Sequence, residues 1–433
     1  MPNKSDMIHG MQNQLQKRCK NILESNDISQ ADKDFAISED GCWKDNLEKK
    51  SLSKQRDYLQ KFKQMAEYHN FNLSELIESE ENVKDVIKAI NRSAYAVRVD
   101  SYAPDTKKMF KQTLKRLLEY QGEESPRFKH PEEAKQELLP YDFTANVKES
   151  DKERTPPKDL PTPTDVKELA QKMEAVSKPN TAARNIAVLM MVWDAGCRIG
   201  EALSTDMEHV TVRSDRVEIM VQGNKKSDNR KATVKIASPA LKHYIENVHP
   251  SPEKDSSPLF VNLSDQKSGG KRLMANNYTN VVNRAKKASN IEKDWSNEKN
   301  HIFRKARITY LKKAEKMDEA NIDIRVGHVV GSDQTREYTR IGDEEADASY
   351  LEAYGLETSE SNVEPDLEPL KCTSCSEVNS GHRDSCRSCN SVLDEKAYPV
   401  DVEGGLRTDA PTKEEAMQKV REFGKEIEQL KKD

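Results

Sequence analysis

The sequence predicts a mainly α-helical protein with one small β-sheet and a short cysteine-rich module near its C-terminal end. Apolar residues recur at the three- and four-residue spacing of helices along most of the chain. Two short β-rich runs, at 217–221 and 232–236, flank a charged turn and predict a hairpin. Two C-x-x-C pairs stand close together after residue 370. At 433 residues, the chain is expected to form two or three domains.

The composition is that of a polar globular protein. Hydrophobic residues make up 35% of the chain and charged residues 33%, which leaves enough Leu, Ile, Val, Met and Phe to fill cores. The formal net charge of −5 does not by itself indicate a nucleic-acid-binding protein, although a net charge averages over local patches. No signal peptide is recognisable, and no segment has the ~20 continuous apolar residues of a membrane helix. The sequence therefore predicts a cytoplasmic protein without a membrane partner.

The N-terminal part of the chain divides at residue 42. Residues 1–42 are polar and mixed in charge, and they are expected to form loops or short helices. Residues 43–125 show helical periodicity and predict an all-α domain of about four helices. Lys107, Lys111 and Lys115 recur every four residues on one face of its last helix. Such a row is either a solvated helix face or an electrostatic contact surface.

The middle of the chain predicts a linker and a second domain. Residues 126–163 hold seven of the 18 prolines among many charged residues, so an extended linker is expected. Residues 164–357 predict a domain that is rich in helices and contains the hairpin. Its first helix starts at Thr164 or Asp165, and the run IAVLMMVWDAG predicts a buried central helix. An acidic linker at 358–370 precedes the cysteine-rich module.

The cysteine-rich module, residues 371–395, predicts a zinc ribbon. Its two C-x-x-C knuckles supply four thiolates, which suit one tetrahedral Zn²⁺ in a closed structural site. The predicted ligands are Cys372, Cys375, Cys386 and Cys389. A redox-active C-x-x-C is the alternative, but a paired set in a short polar module favours zinc. Such a ribbon folds only with its metal, and His382, between the knuckles, is expected at the surface.

The remaining cysteines and the last segment complete the prediction. Cys19, Cys42 and Cys197 are scattered, which argues for a reducing compartment rather than a disulfide framework. The segment 396–433 carries an apolar stripe at alternating three- and four-residue spacing. That pattern predicts a single amphipathic helix.

Five residues of the second domain have the types needed to cleave a phosphodiester with a protein nucleophile. That reaction needs an in-line nucleophile, cations on the non-bridging oxygens, a proton donor for the leaving oxygen and a group that deprotonates the nucleophile. Arginine suits the second task because its planar fork holds two phosphate oxygens and keeps its charge. The residues, in chain order, are Arg198, His301, Arg304, His328 and Tyr338. Each alone has a structural explanation, and only their joint order indicates this chemistry.

These residues and their spacing resemble the tyrosine recombinase, or phage integrase, family. The family pattern is an Arg in an R-x-G-E-x-L context, a Lys in a hairpin turn, H-x-x-R, and G-H followed nine or ten residues later by Tyr. The chain has Arg198 in RIGEAL, His301 in HIFR and His328 in a G-H pair, with Tyr338 ten residues on. The resemblance covers roughly residues 45–356.

The resemblance implies a SAM-like helical core-binding domain followed by a tyrosine recombinase catalytic domain. It implies a site-specific recombinase or integrase in which Tyr338 attacks DNA and forms a 3′-phosphotyrosyl link. Arg198 and Arg304 would clamp the phosphate, while His301 and His328 would orient groups and exchange protons. Because the link conserves the energy of the broken bond, neither ATP nor a catalytic cofactor is expected.

The hairpin lysine that the resemblance assigns as general acid is Lys225 or Lys226. The turn GNKKSDNRK lacks the family's usual G-K-G beginning, so two adjacent lysines compete for the role. Counting back from Arg230 fits one lysine or the other in two common spacings, and Lys225 is preferred.

Double-stranded DNA is the partner that the resemblance implies, and strand exchange between paired sites implies a homotetramer. The chain would clamp the duplex between its helical N-terminal domain and its catalytic domain. The predicted DNA contacts are Lys107, Lys111, Lys115, Lys305 and Arg307. The zinc ribbon could contact DNA or a partner subunit.

Two other functions fit parts of the pattern. A type IB topoisomerase shares the catalytic residue types, but the short hairpin and the separate helical domain favour a recombinase. A DNA-binding protein that has lost catalysis would also carry a zinc ribbon, but the complete catalytic set argues against it. Three neighbouring tyrosines fit the spacing from the G-H pair poorly and are expected in the core: Tyr310, Tyr350 and Tyr354.

Overall fold

The computed structural model describes residues 10–38, 47–48, 50–96, 99–141, 143–144, 155–223, 229–264, 269–295, 298, 300–314, 317–332, 335 and 366–393. Within these ranges the chain forms two helical units, one of which holds a three-stranded sheet, and a small two-stranded cysteine module. This mainly α-helical architecture with small sheets confirms the predicted fold class. Tyr338, Lys225, Lys226 and the predicted C-terminal amphipathic helix lie outside the described residues.

The first unit is all-α in the part of the chain that the structure describes. Its helices are α1 (Met11–Leu23), α2 (Gln30–Ile37), α3 (Leu52–Ala66), α4 (Glu80–Asn91), α5 (Pro104–Glu124) and α6 (Pro131–Leu138). A 3₁₀ helix at Leu73–Glu78 stands between α3 and α4. The apolar faces meet in one core that includes the fully buried Phe62, Val86 and Leu117.

Three helices of this unit lie where the sequence predicted loops, short helices or an extended linker. Helices α1 and α2 fall within residues 1–42, and α6 falls within residues 126–163. Each contributes a fully buried side chain to the common core: Ile22, Ala36 and Ala134. Helix α6 also starts with a proline and two acidic residues, which favour a helix N-terminus. These segments are mostly polar, so the few apolar residues that pack against the core gave no clear helical pattern in the sequence.

The second unit is rich in helices and surrounds a central helix that is buried on all sides. Its helices are α7 (Pro163–Val176), α8 (Pro179–Ala195), α9 (Ile199–Ser204), α10 (Ser238–Asn247), α11 (Ala275–Lys287), α12 (His301–Lys313) and α13 (Glu319–Val326). Every residue of α8 from Arg184 to Ala195 is buried, as the run of apolar residues predicts. Helix α7 begins with a capping box between Thr162 and Asp165, which fixes its start.

The sheet of the second unit contains the predicted hairpin and one further strand. Its strands are β1 (Val210–Val212), β2 (Val217–Val221) and β3 (Arg230–Val234), in the order β1-β2-β3 with both pairs antiparallel. Strand β3 begins two residues earlier than predicted, and Arg230 is its first residue, opposite Val221.

The cysteine module forms a minimal antiparallel pair. Strand β4 (Leu370–Lys371) pairs with β5 (Val378–Asn379), and the four predicted cysteine ligands flank these strands. Among the described residues, no helix is long and apolar enough to cross a membrane.

Candidate active site

A sharp turn between α8 and α9 presents Arg198. Gly196 ends α8 with a φ of 59°, a left-handed conformation that favours glycine. A Cβ at this position would lie 2.9 Å from Cγ1 of Val326, so close packing also favours glycine here. Arg198 follows as the N-cap residue of α9 and keeps 31% of its side chain exposed. The turn thus places a partly exposed guanidinium at the end of the most buried helix.

Glu201 is the carboxylate that organises the arginines of the site, and it is fully buried. Its Oε1 accepts a hydrogen bond from Nη1 of Arg198 at 2.9 Å, and its Oε2 accepts from the backbone N–H of Arg198 at 3.0 Å. Oε2 also accepts from Nη2 of Arg230 at 3.0 Å. Burial works to raise the pKa of Glu201, but the surrounding arginines hold that pKa below its ordinary value. Glu201 is therefore an ionised anchor for two arginines.

Arg304 lies on α12 with its side chain shielded from solvent. Its Nη1 donates to the carbonyl of Gly196 at 2.7 Å and to the carbonyl of Val326 at 2.6 Å. Its Nε and Nη2 have no hydrogen-bond partner among the described residues. Burial, with the charge of Arg198, lowers the pKa of Arg304 to about 10, so the side chain stays charged at neutral pH. A buried cation with open donors is suited to bind an anion.

The turn after α13 places His328 beside a buried carboxylate. Gly327 ends α13 with a φ of 75°. Asp323 is fully buried, and it accepts from the backbone N–H of Gly331 at 3.1 Å and from the hydroxyl of Thr335. Nδ1 of His328 lies 2.8 Å from Oγ1 of Thr335 and 3.5 Å from Oδ1 of Asp323.

This network determines which nitrogen of His328 carries the proton. The Thr335 hydroxyl has a single proton and donates it to Asp323, so its oxygen can only accept from the imidazole. Nδ1 is therefore the donor, and in the neutral ring Nε2 carries the lone pair. Burial, with Arg304 and Arg198 nearby, lowers the pKa of His328 to about 4. The ring is neutral at pH 7.

His301 is the first residue of α12 and precedes Arg304 by one helical turn. Burial lowers the pKa of His301 to about 4, and the positive charges of Arg304, Lys305 and Arg198 add to that effect. Because Arg198 and Arg304 act on the pKa of both histidines, all four side chains share one electrostatic neighbourhood. The structure thus brings together four of the predicted catalytic residues from three separate chain segments.

Residues 162–345 match the model of the phage integrase family. The matched range contains Arg198, His301, Arg304 and His328, and it extends past Tyr338. This part of the chain belongs to the phage integrase family. Phage integrases are enzymes that break and rejoin DNA, and the chain is an enzyme of that class.

Several solved structures of recombinases and integrases are similar to this chain. XerH recombinase bound to its difH substrate has a TM-score of 0.48 and 17% identity, over 81% of this chain and 97% of that chain. A lambda integrase dimer bound to a COC′ core site has a TM-score of 0.47 and 12% identity, over 74% and 79%. The Tn1549 transposon integrase with circular intermediate DNA has a TM-score of 0.45 and 15% identity, over 78% and 98%. No curated protein sequence matches this chain.

Two charged residues outside the integrase motif, Arg230 and Asp323, hold this site together, and their roles were not predicted from the sequence. Arg230 alternates with Ala232 and Val234 on the buried face of β3, and that period of two was the available signal. Asp323 sits between Ile322 and Ile324 on α13. A lone acid in a short helix gives no sequence signal that distinguishes it from a surface residue.

The predicted DNA contact by Arg307 is wrong. Its side chain is 5% exposed and forms an ion pair with Asp366. Its Nη2 lies 3.9 Å from Oδ1 of Asp194, and the guanidinium carbon lies 5.6 Å from the ring centroid of Trp193. A buried and neutralised arginine is not available to a DNA phosphate.

The predicted lysine contacts with DNA stay predictions. Three of the lysines lie along α5: Lys107, Lys111 and Lys115. The ammonium groups of the last two lie 5.5 and 5.7 Å from the ring centroid of Phe143, which orients them without neutralising their charge. Lys305 forms an ion pair that leaves 13% of its side chain exposed.

The four sulfurs of the cysteine module lie close together. Sγ of Cys372 lies 3.5 Å from Sγ of Cys389, and Sγ of Cys375 lies 3.5 Å from Sγ of Cys386. All four sulfurs lie within 4.8 Å of one another. Sulfurs bound tetrahedrally at ~2.3 Å from a zinc ion are about 3.8 Å apart. The arrangement can therefore hold a metal ion.

The cysteine module packs against α7 of the catalytic unit. The side-chain amide of Gln171 donates to Oδ2 of Asp384 at 2.9 Å and to the carbonyl of His382 at 3.0 Å. Nη1 of Arg383 donates to Oε1 of Glu174 at 2.8 Å. His382 was expected at the surface, but it is 3% exposed, with Nε2 3.5 Å from Oε1 of Glu174. That expectation was wrong because the catalytic unit covers this flank of the module.

Proposed function

We propose that this integrase-family chain is a site-specific recombinase that works through a covalent 3′-phosphotyrosyl intermediate at Tyr338. The observation that carries the proposal is the buried guanidinium of Arg304, whose Nε and Nη2 have no partner among the described residues. Leaving buried donors unpaired costs about 1–3 kcal/mol each. A DNA phosphate bound beside Arg198 would give those donors two charged oxygens. An arginine with a purely structural role would instead be expected to use all three nitrogens within the protein, as the buried Arg184 does with Asn185 and the carbonyl of Val261.

In the proposed cleavage step, the phenol oxygen of Tyr338 bonds to phosphorus while the bond from phosphorus to the 5′-oxygen breaks. The phenol proton passes to a base, for which Nε2 of His328 has the required lone pair. The bound phosphate brings negative charge beside the two arginines that lower the pKa of His328 in the free protein, so it makes that nitrogen more basic. The leaving 5′-oxygen takes a proton from Lys225 or Lys226, with Lys225 preferred.

The arginines have separate tasks in this proposal. Arg304 binds the phosphate from the buried side of the site, and Arg198 binds it from the exposed side. Both charges are in place before the transition state forms, because Glu201 fixes Arg198 and two backbone carbonyls fix Arg304. The phosphotyrosyl bond keeps the energy of the broken DNA bond, so attack by a 5′-hydroxyl rejoins the strand without ATP.

We expect the substrate to be double-stranded DNA, held between the first helical unit and the catalytic unit. The row of lysines along α5 would neutralise phosphates on the far side of the duplex. Strand exchange between two paired sites would use a homotetramer. The proposed domains are a core-binding domain, whose core includes helices α1, α2 and α6 together with residues 43–125, and a catalytic domain (164–357).

A suicide-substrate assay tests the proposed nucleophile. Nicked duplexes that carry candidate attachment sequences are incubated with wild-type protein, with Tyr338→Phe and with the control Tyr350→Phe, without added metal ions. The products are separated on a denaturing gel. A covalent protein–DNA adduct is expected with wild type and Tyr350→Phe, and none with Tyr338→Phe.

Each of the other outcomes of this assay would indicate a different nucleophile or a different function. An adduct that survives Tyr338→Phe would assign the nucleophile to another tyrosine. Tight DNA binding without an adduct on any duplex would overturn the proposal in favour of a DNA-binding protein without catalysis. Relaxation of supercoiled plasmids of arbitrary sequence, without recombination, would favour a type IB topoisomerase.

We also propose that the four cysteines hold one structural zinc ion. Thiolates are soft ligands that favour zinc, and the sulfur spacing fits a closed tetrahedral site. Metal analysis of protein purified without chelator is expected to give about one zinc per chain, and Cys375→Ser is expected to lower that ratio. Well under one zinc per chain in the wild type would reject the proposal.

A further inference from the structure

Arg230, the first residue of β3, connects the hairpin to two other parts of the site. Its Nη2 donates to Oε2 of Glu201 at 3.0 Å, and its Nε donates to the carbonyl of Arg325 at 3.0 Å. The residue is 8% exposed. One guanidinium is thus bonded both to α9, which begins after Arg198, and to the end of α13, which precedes His328.

The backbone before His328 is fitted closely to this guanidinium. A Cβ on Gly327 would lie 2.5 Å from Nη1 and 2.9 Å from Cζ of Arg230. Gly327 also has a φ of 75°, so a larger residue would meet both backbone strain and the guanidinium. The position of Arg230 therefore fixes the position of the turn, and the absence of a side chain at Gly327 makes that contact possible.

The hairpin is tied to the same point. Arg230 lies opposite Val221 in the antiparallel pair of β2 and β3, so this is the last residue pair of the hairpin before the connecting residues that include Lys225 and Lys226. Through Glu201, the same side chain is joined to the phosphate-binding Arg198. One residue thus links the segments that carry the proposed general acid, a phosphate clamp and a proton-transfer group.

We propose that Arg230 is a positioning residue that joins these three segments into one preorganised site. The proposal rests on the proposed recombinase function. An arginine is required because its fork donates in two directions at once, to a carboxylate and to a carbonyl. A lysine carries its N–H donors on a single nitrogen, so it lacks the two separated nitrogens, Nε and Nη2, with which Arg230 reaches the carbonyl of Arg325 and Glu201.

The first test compares Arg230→Met and Arg230→Lys with the control Arg216→Met, whose guanidinium is 43% exposed in the β1–β2 turn. Single-turnover cleavage of the nicked substrate and affinity for uncleaved DNA are measured separately. Both Arg230 variants are expected to cleave about 100-fold more slowly, with affinity changed by less than about twofold, because small misplacements of catalytic groups cost about that much. Wild-type cleavage by either folded Arg230 variant would overturn the proposal.

A second variant separates positioning from direct contact with DNA. If Arg230 acts through Glu201, then Glu201→Gln combined with Arg230→Met is no slower than the slower of the two single variants. If the two effects multiply, Arg230 acts on the DNA independently of Glu201 and the assignment as a positioning residue fails.

Hydrogen exchange of the free protein tests the same arrangement, and the result depends neither on DNA nor on the role of Tyr338. Arg230→Met is expected to speed exchange of the backbone N–H groups of Arg198, Gly327 and His328, while the interior of α8 stays protected. Unchanged exchange at all three groups would overturn the proposal even if the wild type cleaves DNA. Absence of a Tyr338 adduct would instead reject the recombinase function, and the exchange result would still decide the role of Arg230.

Discussion

Helix α12 carries two buried arginines one turn apart, and only one of them has carboxylates beside its guanidinium. Arg307 meets the carboxylates of Asp366 and Asp194 and lies over the ring of Trp193. Arg304 has no carboxylate within ion-pair distance among the described residues, and its Nη1 is bonded only to backbone carbonyls. The cluster around Arg307 is neutralised, and the cluster around Arg304 retains an excess of positive charge.

The difference distinguishes Arg307, whose charge stabilises the fold, from Arg304, whose charge is available to bind an anion. A buried arginine with two carboxylates completes its electrostatic partners within the protein. A buried arginine whose remaining donors are open bears a free-energy cost that an incoming anion can remove. Such a cost is typical of functional sites, where preorganised charge is kept at the expense of stability. The two clusters therefore predict opposite effects for the same substitution.

Arg325 joins the two clusters. Its Nη2 donates to Oδ1 of Asp194 at 2.9 Å, in the neutralised cluster. Its backbone carbonyl accepts from Arg230, in the site that retains positive charge. Arg325 is thus bonded to the neutralised cluster through its side chain and to the catalytic site through its backbone.

The largest effect is expected for Arg307→Met. It leaves Asp194 and Asp366 without their shared cation, and removing one partner of a buried ion pair costs about 3–5 kcal/mol. Urea unfolding is expected to show a loss of that size in the free energy of unfolding. At temperatures where the variant is folded, its rate of DNA cleavage is expected to stay close to the wild-type rate. A variant that is fully stable would contradict the structural role of Arg307.

Arg304→Met is the matched substitution one turn earlier, and the reverse pattern is expected. Single-turnover cleavage should fall about 10²–10³-fold, the loss typical of removing one preorganised donor to a developing charge. The free energy of unfolding should change by less than about 1.5 kcal/mol, because losing two bonds to carbonyls is offset by removing an unpaired buried charge. If Arg304→Met proves as destabilising as Arg307→Met, the two clusters do not differ in the way described.

Asp366→Asn sharpens the comparison with a smaller change. The substitution keeps an acceptor for Nε1 of Trp193, which donates to Oδ1 of Asp366 at 2.9 Å, but it removes the negative charge beside Arg307. A loss of about 1.5–3 kcal/mol in the free energy of unfolding is expected, the usual worth of a hydrogen bond to a charged group. Faster hydrogen exchange in residues 370–393 would show that this ion pair anchors the cysteine module. Unchanged stability would mean that Asp194 alone neutralises Arg307.

Much of the architecture was predictable because it depends on periodic patterns. The buried helix α8, the hairpin and the amphipathic helices are each encoded by local spacing of apolar residues, and the cysteine spacing encodes the sulfur cluster. Helix α6 was missed, and α1 and α2 were predicted only as loops or short helices, because only a few apolar residues in each pack on the core. Tertiary packing stabilises these helices, and local sequence does not show it.

The errors and omissions at the site have one physical cause. Arg307 and Arg304 have the same residue type on the same helix, so sequence alone could not separate a neutralised arginine from an open one. The distinction depends on Asp366, which lies 59 positions further along the chain. His382 was placed at the surface for the same reason, since Glu174 reaches it from a distant helix. Charge partners that are far apart in sequence leave no periodic signal.

The smallest expected effect is a pH dependence of stability that the cluster around Arg304 should confer and the cluster around Arg307 should not. Burial and the arginines lower the pKa of His301 and of His328 from 6.5 to about 4 in the folded protein. Between those values the unfolded chain binds more protons than the folded one, so stability is complete above pH ~6.5 and is lost as the pH falls toward ~4. Each histidine is expected to contribute to the loss of stability across this window.

His328→Asn and His301→Gln isolate these contributions, because the asparagine amide can keep the bond from Nδ1 of His328 to Thr335. Each variant is expected to lose part of the slope of unfolding free energy against pH between about 4 and 6.5. Comparison with the wild type is necessary because His69 and His243 also have a lowered pKa. An unchanged slope in both variants would show that Arg198 and Arg304 do not raise the cost of charging these rings. The excess of positive charge that distinguishes the Arg304 cluster from the Arg307 cluster would then be absent.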